Sequence, residues 1–353
     1  MAVTSTILYY LYYLMGTVSP KMIPYYHMSF LYILTLLAVS NAIGAFTAWV
    51  GGLTDKIGRA NLTIYGALLL GIIQLGIPHI HSKFDFAVAF CVVGIIEGVI
   101  LVSTAALMRD FSPQMGRATA MGFWALGPTA GSLIASLVAT RTLHHLHPWQ
   151  DQYDISGVVC MVVVVIAFLF LRELSPQLRD QLMVTEHERA LVEARARGID
   201  VKKAMEHPLR SILHPELIAS SLGISVYFLF YFASVSVMTV YWVVVFNRST
   251  VDANGINTWG WAFDCCALVL VGLISDRLRV RKPFIVLGTI ATMVMMILFT
   301  FQVDHSHAGY YSNVLFIVLM MSAIGFTYSP WMAHYTERVE AYNPALVATG
   351  LAL

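Results

Sequence analysis

Two carboxyl side chains lie deep inside apolar runs of this 353-residue chain, Glu97 in Gly94-Ile95-Ile96-Glu97-Gly98 and Asp264 in Trp261-Ala262-Phe263-Asp264-Cys265. Burying one charge at bilayer depth costs about 2.5–3.5 kcal/mol on insertion scales, so such residues mark sites of function. A carboxyl stripped of water favours its neutral form, which is what a proton carrier requires. Glu97 and Asp264 are therefore the proton-coupling candidates, and the alternative is a hydrogen-bonded carboxyl that only packs helices together. No Lys or Arg sits at mid-span depth in any apolar run, which disfavours recognition of a fixed anion such as nitrate or phosphate. Aromatic side chains stand there instead. Tyr9, Tyr13, Tyr227, Tyr231, Tyr328 and Trp331 are candidates to line a substrate cavity, because rings stack on organic solutes and attract cations through their faces. Tyr and Trp are also ordinary at membrane interfaces, so each of them has a purely structural reading as well.

The elements that must position these residues follow from composition and hydropathy. The chain is 58% hydrophobic and 12% charged with mean hydropathy +0.72, against about 45–50% apolar and about 25% charged in a soluble domain. It reads as an integral membrane protein. Apolar runs bounded by charge and turn residues predict ten spans near 3–20, 28–50, 61–79, 85–108, 115–140, 154–171, 216–245, 256–275, 283–303 and 311–334. Helices are required, since open strands leave backbone groups unpaired in lipid and the runs are too long and non-alternating for a barrel. Of the 21 Lys and Arg, 17 fall in connections after the even spans and 4 after the odd ones. Basic residues stay on the cytoplasmic side, so a multi-pass protein of the cell membrane with a cytoplasmic N-terminus is expected. The first run has no basic leader or cleavage site, which predicts no cleaved signal. The net charge of +1 offers nothing to nucleic acid.

A small charged hinge, Gly51-Gly52-Leu53-Thr54-Asp55-Lys56-Ile57-Gly58-Arg59, separates spans 2 and 3. Gly272-Leu273-Ile274-Ser275-Asp276-Arg277 follows span 8 in the same way, at an offset of 221 residues. Internal repeats of this kind are a mark of transporter folds. Gly51-x-Leu53-Thr54-Asp55-Lys56-x-Gly58-Arg59 is similar to the loop 2–3 signature of the major facilitator superfamily of secondary transporters, and Gly272-x-Ile274-Ser275-Asp276-Arg277 resembles its degenerate copy in loop 8–9. The resemblance implies an all-α polytopic fold of two pseudo-symmetric six-helix bundles around a central cavity, lined by helices 1, 4, 7 and 10, with access alternating by rocking of one bundle against the other. In this chain it implies an N-terminal bundle over 1–172, a cytoplasmic linker with a short amphipathic helix over 173–213 and a C-terminal bundle over 214–353. That second bundle would be incomplete, because Asn343-Pro344 opens an eleventh helix about three turns before Leu353. The chain is accordingly expected to be truncated. Gly51, Asp55, Lys56, Gly58, Arg59, Asp110, Gly272, Asp276 and Arg277 form the expected gating motif, with Asp55 meeting the start of helix 11 and Arg59 pairing with Asp110 as a conformational latch.

Other patterns are weaker. Gly127-Pro128-x-x-Gly131 is similar to a span 5 motif of family antiporters, but small residues there serve helix packing equally well. The histidines of the odd connections (His79, His81, His144, His145, His147, His305 and His307) have no Cys partner and form no closed ligand set, so no metal and no cofactor is expected. The four cysteines lie in apolar runs and support no disulfide framework, and no catalytic or phosphate-cradling motif is present, so no enzyme is expected. The reading is a monomeric secondary transporter, partnered by lipid, a small organic solute and protons, working as a proton-coupled symporter. A proton-coupled efflux antiporter and a non-transporting membrane fragment are the alternatives.

Overall fold

Each apolar run becomes a helix. The computed structural model describes residues 2–50, 58–111, 126–143, 148–171, 214–302 and 309–342. Among them are ten α-helices and no strand: α1 (Ala2–Tyr25), α2 (Phe30–Val50), α3 (Arg59–Gly76), α4 (Lys83–Phe111), α5 (Gly127–Thr142), α6 (Gln150–Phe170), α7 (Pro215–Val245), α8 (Thr250–Leu278), α9 (Lys282–Gln302) and α10 (Tyr310–Tyr342). They match the ten predicted spans one for one. Eight of them are long and apolar enough to cross a membrane; α1 and the 16 described residues of α5 are the other two. The expected amphipathic linker helix and the start of helix 11 lie outside the described residues.

Helix ends differ from the predicted ones where polar side chains take over orphaned backbone groups. Helix α1 continues to Tyr25 through Pro20 and Pro24. Proline at position 20 leaves the Gly16 carbonyl without its helical donor, and the Ser19 hydroxyl donates to that oxygen at 3.0 Å. Helix α8 begins at Thr250 rather than 256, because Ser249 caps it: its Oγ accepts the Asp252 N–H at 3.0 Å and donates to the Asp252 carboxylate at 2.8 Å.

The chain forms two compact units, each described by itself. The first gathers Met1–Glu173, Ala233–Cys265 and Ile297–Met321; the second gathers Leu174–Phe232, Cys266–Met296 and Ser322–Leu353. In the first, α1 is the central post, with Leu8, Tyr10, Leu11, Leu14, Met15, Val18 and Met22 almost fully buried. Around it the helices meet through small residues, since lipid tails are as apolar as Leu and close packing must supply the attraction. Ser40 and Gly44 of α2 face Gly94 and Gly98 of α4. A Cβ at position 98 would overlap the Gly44 carbonyl oxygen and fall 2.7 Å from Thr47 Oγ1. The Ser40 and Thr47 hydroxyls then reach across to the Phe90 and Ile95 carbonyls, both at 3.2 Å.

In the second unit α9 is the least covered helix, its Val286, Leu287, Ile290, Met293 and Val294 all half or more exposed or nearly so. Exposed apolar side chains of this kind suit a lipid-facing surface.

The α2–α4 seam makes a direct prediction. Gly98→Val should lower stability by about 1–3 kcal/mol through overpacking. Gly223→Ala, in α7 with no atom within 4 Å of the added methyl, should be neutral or stabilising by up to about 1 kcal/mol. Thermal unfolding in detergent would show the contrast, and equal midpoints for the two variants would refute the seam.

Candidate functional site

Asp264 sits mid-way along α8 and is 1% exposed. It is hydrogen-bonded to Thr129 of α5, and its Oδ1 has no partner. Thr129 belongs to Gly127-Pro128-Thr129-Ala130-Gly131, and the two glycines explain how it gets there. A Cβ at position 131 would lie 2.6 Å from Tyr9 Cβ and 2.8 Å from the Tyr10 nitrogen, and one at position 127 would lie 2.8 Å from Ser5 Oγ. Only glycine lets α5 press so closely on α1. The same stretch that resembles an antiporter motif thus packs α5 and aims Thr129 at Asp264.

Further contacts tie α8 and its neighbours to the first six helices at one end of the first unit, the end carrying the connections after the odd helices. We call it the distal end. Asn254 of α8 donates from Nδ2 to the Thr17 carbonyl of α1 at 3.0 Å. Thr258 of α8 meets Thr140 of α5, hydroxyl to hydroxyl, at 3.4 Å. A Cβ on Gly16 of α1 would overlap the Val235 carbonyl oxygen of α7, and one on Gly255 would lie 2.7 Å from the Tyr310 hydroxyl of α10. Asn257 completes the polar set within the later helices, accepting from Trp242 Nε1 at 2.9 Å and donating to Thr239 at 3.0 Å.

Glu97 has different surroundings. It is 8% exposed on α4, one residue from the Gly94/Gly98 seam, and Tyr12 of α1 is close enough for the two groups to interact electrostatically. Tyr12 packs on Phe90 with ring centroids 5.4 Å apart and on Tyr13 at 5.8 Å, and Tyr13 meets Tyr9 at 5.5 Å. Tyr9 and Tyr13 are therefore neighbours of the carboxyl's helix pair, as parts of one aromatic column in the first unit.

The other four cavity candidates lie together in the second unit. The Tyr227 hydroxyl of α7 shares a hydrogen bond with Thr292 of α9 at 2.9 Å and donates to the Ile324 carbonyl of α10 at 3.2 Å. Tyr231 is 6% exposed and packs edge-on against Phe228. Phe228 in turn meets Tyr328 at 4.9 Å, which stacks on Trp331 at 6.2 Å. Trp331 Nε1 donates to Ser220 at 3.0 Å. These rings join α7 to α10.

Of the gating motif, Gly51, Asp55 and Lys56 lie outside the described residues, as does the side chain of Asp110. Gly58 precedes α3 at φ 97°, a conformation that only glycine adopts without strain, and Arg59 behind it is buried. The second copy is described in full. Gly272 abuts Ser329 of α10, where a Cβ would lie 2.6 Å from the hydroxyl. Asp276 pairs with Arg281, whose guanidinium also binds Glu337 of α10 at 3.0 and 3.2 Å and Ser275 at 3.0 Å. Burial works against the Arg281 charge, but Asp276 and Glu337 outweigh it and hold the guanidinium above its ordinary pKa. Arg277 is exposed and has no ion pair among the described residues.

Sequence reasoning missed Glu337 and Glu216. Arg338, next to Glu337, binds Glu216 at the start of α7 at 2.9 Å, and Tyr342 donates to the same carboxylate at 2.9 Å. That bond holds the Tyr342 phenol above its ordinary pKa. The Glu337-Arg338 dipeptide at the end of a span was the available signal. Among the described residues no group of three or more His, Cys, Asp or Glu could hold a metal.

Because Asp276 and Glu337 share Arg281, their removals should not add. Asp276→Asn and Glu337→Gln should each cost at most about 1 kcal/mol, as partly exposed pairs do. A double-mutant cycle should give a non-zero coupling; strict additivity would contradict a shared guanidinium.

The sequence profile of the Major Facilitator Superfamily matches residues 1–352. Multidrug resistance protein MdtL of Klebsiella pneumoniae is 26% identical over 145 residues, 40% of this chain and 36% of that protein. The matched stretch thus spans about a third of that relative's length. Among solved structures, a D-xylose-proton symporter superimposes with a TM-score of 0.69 at 14% identity, covering 99% of this chain and 87% of that one. The partially occluded, inward-open xylose transporter XylE of Escherichia coli gives 0.70 at 15% identity, covering 100% and 89%. The chain belongs to the Major Facilitator Superfamily.

Proposed function

We propose that the protein is a secondary transporter that moves a small organic solute with protons, in symport, by alternating access. The observation that carries this reading is the position of Asp264, a buried carboxyl with no basic partner, hydrogen-bonded between a helix of the first half of the chain and one of the second. Charging a carboxyl buried that way is costly without a basic partner, which suits a group that takes up and gives off a proton. Glu97 supplies a second buried carboxyl among aromatic residues suited to an organic solute. The distal contacts supply one closed end, which alternating access requires.

The fold-level neighbours support proton symport by analogy, one of them being a D-xylose-proton symporter. MdtL, a multidrug resistance protein, supports the reverse direction. The Gly127/Gly131 stripe adds nothing to the efflux direction, since its glycines are accounted for by contact with α1. The distal end is then the exterior, with the N-terminus cytoplasmic, the chain a monomer in the cell membrane and the Asp276–Arg281–Glu337 cluster at the cytoplasmic face.

Reconstitution into liposomes carrying an internal pH dye tests the reading. With a panel of sugars, amines and organic acids outside, a transported solute should acidify the lumen, and Glu97→Gln or Asp264→Asn should abolish the proton signal. Lumen alkalinisation on solute entry would indicate antiport, and no solute-linked proton movement with any compound would overturn the proposal.

A further inference from the structure

Between α9 and α10 the second unit carries an open groove of about 240 Å³, lined by Leu287, Gly288 and Ala291 of α9 and by Ser322, Ala323 and Phe326 of α10. Four of the six are small, so the groove comes from missing side-chain volume. A Cβ at position 288 would already overlap the Thr327 hydroxyl. Left empty, a trough of this size forfeits dispersion contacts along its lining, and the medium around a membrane-spanning helix offers aliphatic chains to fill it.

The first unit shows what such a groove meets when another helix packs nearby. Gly66 of α3 stands to α4 as Gly288 of α9 stands to α10: a Cβ at position 66 would lie 2.6 Å from Ile100 Cδ1, and one at position 288 would lie 3.0 Å from Phe326 Cδ1. On that register Leu287 and Ala291 correspond to Tyr65 and Leu69. Those two are 61% and 46% exposed although α6 packs on α3. Helix α6 covers a different strip, where Cys160 donates to the Ala67 carbonyl at 3.3 Å and Gly71 faces Met161. The counterparts of Ala67 and Gly71 are Thr289 and Met293. A helix docked on α9 as α6 docks on α3 would cover that strip and leave the groove to lipid.

The groove also has positive charge near one end. Leu287 lies five residues beyond Lys282, about 8 Å of helix rise. The α8–α9 turn and its flanks carry Arg277, Arg279, Arg281 and Lys282, and the two acids there, Asp276 and Glu337, are both held by Arg281. Arg277, Arg279 and Lys282 are exposed and make no ion pair among the described residues. Arg277 follows exposed Leu273 and Ile274 by one turn, where the apolar surface of α8 ends. Basic side chains at such a boundary attract anionic headgroups, and the phosphate is the group they bind.

We propose that the α9–α10 groove and the α8–α9 turn together form a site for a phospholipid of net negative headgroup charge, with its phosphate at Arg277, Arg279 and Lys282 and one acyl chain in the groove. The site is separate from the buried carboxyls and rests only on the chain spanning a membrane. Its two parts make separate demands. The groove accepts an aliphatic chain of any lipid, and the turn selects the headgroup.

Native mass spectrometry of the full chain, delipidated in detergent and titrated with phosphatidylglycerol or with phosphatidylcholine of the same chains, separates the two. Phosphatidylglycerol should be retained preferentially. Arg279→Gln and Lys282→Gln should each weaken it about fivefold, the effect of one base at an anionic surface, and leave phosphatidylcholine unchanged. Ala291→Leu, at an exposed groove position, should weaken both lipids. Inorganic phosphate should not compete. Phosphatidylglycerol with a photoreactive acyl chain should label residues 282–302 or 322–330 of the wild type, a readout that needs no variant to fold. Equal retention of the two lipids, unchanged phosphatidylglycerol binding in both charge variants, competition by inorganic phosphate, or labelling confined to other helices would overturn the site. None of these outcomes bears on solute-linked proton movement.

Discussion

Close approach of helix backbones through glycine is the constraint on which the described structure depends. Water does not drive helices together within a bilayer, so contact must come from fitted surfaces, and a missing Cβ brings two helix axes nearer than any other substitution. Gly131 seats α5 on α1, Gly98 seats α4 on α2, and Gly16 brings α1 onto the backbone of α7. The first two contacts are internal to the early helices. The third joins early helices to late ones, and the polar contacts Asn254 to Thr17 and Thr258 to Thr140 are found at the same end.

The polar groups follow from that geometry. Once α5 lies flat on α1, Thr129 faces α8 and can hold Asp264. Once α1 carries Pro20 past a close contact, the freed Gly16 carbonyl needs Ser19. A buried hydrogen bond between helices is worth about 0.6 kcal/mol on average in a membrane, so a handful of such bonds holds a contact that can still be released. In the second unit, Arg281 and Arg338 tie α10 to its neighbours. Adjacent residues of α10 reach in two directions, Glu337 to the α8–α9 turn and Arg338 to the start of α7.

Much of this was legible in the residues. Hydropathy located all ten helices, because a lipid-facing helix must be apolar over its whole length, and the signature loops identified the family. Helix ends were less legible, since they depend on single side chains such as Ser249 and Ser19. The repeat aligned Arg277 with Lys56, yet Arg281 is the side chain that reaches Asp276. Helix α8 stops at Leu278 and Arg279, at φ 56°, turns the chain back on itself. Asp264 and Glu97 were picked out by depth alone. That one of them faces the other half of the chain follows only from packing between residues far apart in sequence.

The central claim is that the distal contact between early and late helices is one of two states the protein must visit. A disulfide placed across it tests that claim most directly, with Thr17→Cys and Asn254→Cys introduced in a background free of the four native cysteines. Oxidation should arrest solute movement in reconstituted vesicles and reduction should restore it. Unimpaired transport by the fully cross-linked protein would contradict the account.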